Sequence, residues 1–77
     1  MHELAITESI VSMIEARLGA ARVLRVRLEI GRLTAVEPEA LRFAFTVCTE
    51  GTPMEGARLE IDELAGSELQ IKEVEVA

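Results

Sequence analysis

The run Val23-Leu24-Arg25-Val26-Arg27-Leu28-Glu29-Ile30 constrains this chain more than any other segment. Leu24, Val26, Leu28 and Ile30 alternate with Arg25, Arg27 and Glu29, and a period of two sends the two sets to opposite faces of a β-strand. A strand with one charged and one apolar face belongs in a sheet covered on one side only. In a chain of 77 residues the cover must come from the segments close before and after it. Gly31 stops the strand.

Those neighbouring segments read as helices. From Leu4 to Leu18, the residues Leu4, Val11, Ile14 and Leu18 recur at helical spacing, flanked by Ile6, Ile10 and Met13, which reads as core. Glu8, Glu15 and Arg17 take the wet side, and Gly19 ends the helix. Arg32 to Val36 read as a loop. Glu37-Pro38 then opens a second helix, because proline suits the first helical position. Leu41, Ala44, Phe45 and Cys48 supply its buried stripe. Gly51 through Gly56, with Thr52-Pro53 inside, breaks the chain again and places Met54 in a loop.

Two more strands follow. Arg58 to Leu64 buries Leu59 and Ile61 and turns Arg58, Glu60 and Asp62 outward, where Arg25 and Arg27 are expected to pair with Glu60 and Asp62. Glu68 to Val76 buries Leu69 and Ile71, then Val74 and Val76. That alternation changes phase near Lys72-Glu73, so a one-residue β-bulge is predicted there. Only Ala65-Gly66-Ser67 lies between the strands, which predicts an antiparallel hairpin. The resulting fold is α+β in the order α-β-α-β-β. Residues 1–77 form a single domain, a small three-stranded mixed sheet with two helices on one face.

Composition narrows the function. Fourteen acidic against eight basic residues give a net charge of −6, which argues against nucleic acid and anionic membrane surfaces. No apolar run approaches the ~20 residues of a membrane span. Cys48 stands alone, so no internal disulfide forms and a reducing cytoplasm fits. It reads as a small buried hydrophobe rather than a nucleophile. Phe43 and Phe45 are the only aromatic residues and read as the bulkiest core members. No serine has a histidine beside it and no glycine-rich phosphate loop is present, so the chain does not read as an enzyme.

The chemistry-bearing feature is the opening Met1-His2-Glu3, which holds the only histidine. The amine of Met1, the backbone nitrogen of His2 and its imidazole can close two fused chelate rings on one metal ion. That nitrogen-rich set suits Ni(II) or Cu(II). Glu3 offers a carboxylate oxygen. The competing reading is an exposed terminal side chain with no role.

With these residues in place, the chain resembles the HypA/HybF family of hydrogenase nickel-incorporation proteins. The resemblance runs through Met1-His2-Glu3-Leu4, Arg25 to Gly31, Val36 to Phe45, Glu55 to Ile61 and Leu69 to Val76. It implies a nickel metallochaperone domain delivering Ni(II) for nickel–iron hydrogenase, and in some organisms urease. It also implies a cytoplasmic location and two partners, a HypB-family GTPase and the hydrogenase large subunit. The nickel ligands it carries over are the Met1 amine, His2 through imidazole and backbone nitrogen, and Glu3. Family members insert a zinc domain, built on two Cys-x-x-Cys pairs, between the last two strands. Here that insertion, expected between 64 and 68, is replaced by Ala65-Gly66-Ser67, so no zinc is expected. The replacement reads as a designed linker in a nickel-domain fragment, monomeric or dimerised by swapping its last strand. The alternative function is a protein-interaction or folding fragment with no metal activity of its own.

Overall fold

A computed structural model describes residues 2–77. Helix α1 (Glu3–Leu18) leads into strand β1 (Val23–Gly31), and one 3-10 turn (Arg32–Thr34) precedes helix α2 (Pro38–Thr49). Strands β2 (Arg58–Leu64) and β3 (Leu69–Val76) follow, giving the expected α-β-α-β-β order. Pro38 does begin α2, and the Glu37 carboxylate caps it by accepting from the Glu39 amide at 3.4 Å. Gly19 closes α1 with φ of 57°, a left-handed value that glycine adopts without a β-carbon penalty.

The sheet order is β2-β1-β3. β1 runs parallel to β2, with Val26 opposite Leu59 and Leu28 opposite Ile61. It runs antiparallel to β3, with Val26 opposite Val74 and Leu28 opposite Ile71. The mixed sheet is therefore as predicted, but the β2–β3 hairpin is not: those strands flank β1 and do not pair with each other. β1 carries the densest aliphatic face, with Val23, Val26, Leu28 and Ile30 all buried, and it takes the central place where both edges are covered. The short 65–68 turn instead crosses the end of β1. The Gly31 amide donates to the Glu68 carbonyl at 2.7 Å, and the Leu33 amide to the Gly66 carbonyl at 2.9 Å. A β-carbon on Gly31 would collide with the Gly66 carbonyl, so the crossing depends on glycine there.

The predicted bulge is present. Between Arg27 and Leu28 the partner on β3 moves from Glu73 to Ile71, leaving Lys72 as the extra residue. A second irregularity between Val23 and Arg25 was not anticipated. It turns Val23 inward and leaves Leu24 exposed, so the apolar face of β1 is Val23, Val26, Leu28 and Ile30.

Both helices lie over that face. α1 buries Thr7, Ile10, Val11 and Ile14, and α2 buries Leu41, Ala44, Phe45 and Thr49. The buried stripe of α1 is thus rotated from the predicted one, and Leu4 and Met13 face water. Thr7 takes a core position because its hydroxyl is satisfied locally, donating to the Glu3 carbonyl at 2.8 Å. Phe43 is 73% exposed, on the side of α2 away from its stripe, so it is not a core ring. Met54, read as a loop residue, is 1% exposed. The Thr52 hydroxyl bonds the Thr49 carbonyl at 2.7 Å and receives the Met54 amide at 3.1 Å, which rolls the 51–57 turn over and drives Met54 into the core. Cys48 is half-buried against the same core.

The other face of the sheet is a lattice of charges. Arg25 meets Glu60 at 2.8 Å on β2, and Glu75 at 3.1 Å and Glu73 at 3.2 Å on β3. Arg27 meets Asp62 at 2.9 Å and Glu73 at 3.5 Å. The pairs predicted with β2 form, and acids of β3 join them. The hydrogen bonds that the two guanidiniums donate to Glu60 and Asp62 are the main reason they hold their protons more tightly than usual.

Candidate metal centre

Strand directions put the ends of β1 and β2 and the start of β3 at one pole of the domain. The start of α1 is fastened to the start of α2 by a hydrogen bond from the Glu37 amide to Glu3 Oε2, 2.9 Å long. Here the chain presents His2 and Glu3, two of the three residues singled out for metal binding. Met1, one of the three, lies outside the described residues.

His2 is the N-cap of α1, with an extended backbone (φ −86°, ψ 92°) and an exposed side chain. Its carbonyl accepts the first helical bond, from the Ile6 amide at 3.2 Å. The amide of an N-cap has no acceptor inside its helix. A metal ion that displaces the His2 amide proton therefore breaks no helical hydrogen bond. Among the described residues the imidazole makes no capping bond either.

Glu3, the first residue of α1, is half-buried. Its carboxyl titrates below the usual range, chiefly because of the bond from the Glu37 amide and next because of its own backbone amide. It thus stays a carboxylate through the neutral range, with one oxygen engaged. Negative charge in the first turn also offsets the positive end of the helix dipole, which would otherwise repel a cation at this terminus. Among the described residues, no three His, Cys, Asp or Glu side chains converge on a common point. The candidate ligands singled out from sequence are consecutive along the chain.

The contribution of Glu37 was not found from sequence, which assigned it only to opening α2. Its amide reaches Glu3 across 34 positions of chain, and that closure exists only once the helices have packed. The other candidates fall away. Arg25 and Arg27 are engaged by carboxylates and offer no open anion site. Burial, with a smaller effect of Glu8, pushes the Cys48 thiol up and keeps it protonated.

Residues 1–69 match the family model described as hydrogenase/urease nickel incorporation, metallochaperone, hypA. Over 66 residues, 86% of this chain, it is 52% identical to the hydrogenase maturation factor HypA of Nostoc punctiforme, covering 58% of that protein. The corresponding factors of Trichormus variabilis and Geobacter metallireducens are each 50% identical over 66 residues, 58% and 60% of their lengths. These matches define a nickel metallochaperone class, whose members are maturation factors and not enzymes. Within that class the chain belongs to the HypA family. It spans about three-fifths of the curated relatives it matches.

Proposed function

We propose that this domain binds one Ni(II) ion as cargo at its N-terminus and hands it on during maturation of nickel–iron hydrogenase, or of urease. The Met1 amine, the His2 backbone nitrogen and the His2 imidazole supply the nitrogen donors, with the Glu3 carboxylate beside them. The observation that supports this most is the placement of His2, an exposed imidazole on an N-cap residue whose amide owes nothing to the helix. Amine, amide and imidazole must all shed protons to bind. Nickel affinity therefore falls as pH drops. Its partners are a HypB-family GTPase and a hydrogenase large subunit, both in the cytoplasm. No helix among the described residues is long and apolar enough to cross a membrane.

The test is a Ni(II) titration of untagged protein with a free Met1 amine, followed by calorimetry and visible absorption, beside His2→Ala. One-to-one binding that disappears in His2→Ala is expected. Equal, weak binding by both proteins would discard the N-terminal site and favour an interaction fragment without metal activity.

A further inference from the structure

We infer that Glu3 is a positioning residue and not a nickel ligand: its carboxylate fastens the start of α1 to the Glu37 amide and so fixes the direction in which the His2 chelate points. This rests on the nickel reading above. Glu3 is gripped from two sides. Its carbonyl accepts from the Thr7 hydroxyl at 2.8 Å, and Thr7 is 1% exposed, within the core. Its Oε2 accepts from the Glu37 amide at 2.9 Å. Glu37 is the N-cap of α2, so its amide, like that of His2, has no acceptor in its own helix. Glu3 supplies that acceptor. A carboxylate drawn away to a metal would leave the Glu37 amide without it and free the first turn of α1.

The consequence concerns order. Chain termini fray unless tied down, and a chelate built on the first two residues must immobilise them on binding. With the bond in place, the residue next to His2 is already fixed to two different elements. Without it, the first turn loosens and ordering it becomes part of the cost of binding nickel. The expected weakening is about three- to tenfold, from the handful of rotors that must then be frozen.

Glutamine separates the two roles, because its amide oxygen accepts the same bond but is a poor substitute for a carboxylate ligand. Ni(II) titrations with visible absorption would compare wild type, Glu3→Gln, Glu3→Ala and His2→Ala. Glu3→Gln should keep the wild-type absorption band and an affinity within about threefold. Glu3→Ala should keep the band and bind more weakly than Glu3→Gln. The Glu37 amide resonance, recorded by NMR without metal, should stay in place in Glu3→Gln and move in Glu3→Ala. A changed band in Glu3→Gln, with affinity lost to the same degree as in Glu3→Ala, would make Glu3 a ligand and overturn the inference. Wild-type affinity in Glu3→Ala, or a Glu37 resonance indifferent to both changes, would overturn it as well. Nickel binding unchanged in His2→Ala is a separate failure, of the nickel site itself, and is recognised without reference to the Glu3 variants.

Discussion

Replacing Gly31 with alanine tests the crossing of the 65–68 turn over β1. The backbone of Gly31 is extended, with φ of −82° and ψ of 146°, so alanine meets no conformational penalty there. The cost is entirely the collision of its β-carbon with the Gly66 carbonyl. To relieve it the turn must lift off the strand end and give up the Gly31–Glu68 and Leu33–Gly66 bonds. At about 0.5–1.5 kcal/mol net for each bond, the loss is roughly 1–3 kcal/mol. For a domain of this size that lowers the melting temperature by about 10 °C. Gly66→Ala is the control. Its β-carbon would lie nearest the Glu68 carboxylate, at 2.9–3.3 Å, and that side chain can swing aside. Thermal melts by circular dichroism would measure both, and light scattering would report whether the loosened turn lets β3 pair with a second molecule. A Gly31→Ala melting point within about 2 °C of wild type, or an equal drop in Gly66→Ala, would refute the crossing as described.

Three further outcomes are expected. Met54→Ala should destabilise the domain by about 2–5 kcal/mol in urea, as for other buried methionines, while Phe43→Ala should stay within about 0.5 kcal/mol. At pH 8 Cys48 should react with iodoacetamide more slowly than a free thiol and speed up on unfolding, because burial raises its pKa and leaves less thiolate in the folded state.

Element types were legible because each rests on local patterning. The alternation of β1 from Val26 to Ile30, proline at the start of α2 and the phase change at Lys72 all survive in the structure. Neighbourhood was not legible. A short connection limits the distance between two strand ends, but three residues between Leu64 and Glu68 serve equally to form a hairpin or to step across one strand. What decides is which strand has most to bury, a comparison across the whole chain. Inside elements, the errors share a cause. Leu4, Met13 and Phe43 were assigned inward on hydrophobicity, and a helix has room for only one stripe; Thr7 entered it because its hydroxyl could bond within the helix. Met54 turned inward through threonine bonds that composition does not reveal. For the site, the donor types at residues 1–3 were readable, since chelate chemistry depends on adjacency. The Glu37 amide was not, because only helix packing brings it to Glu3.

The charge lattice on the open face has a consequence for how the sheet finds its pairing. Shifting a strand by one residue exchanges its faces, and the aliphatic side alone forbids that, since Ile71 and Val74 would meet water. A shift by two restores the faces, and to the apolar side one aliphatic pair is much like the next. The charged side is less forgiving: with β3 displaced by two, Arg25 would no longer stand opposite Glu75 or Arg27 opposite Glu73. The two faces thus check different errors, one parity and the other position, in the manner of a checksum. The spacing of Arg25, Arg27, Glu60, Asp62, Glu73 and Glu75 serves less as adhesive than as a specification of address.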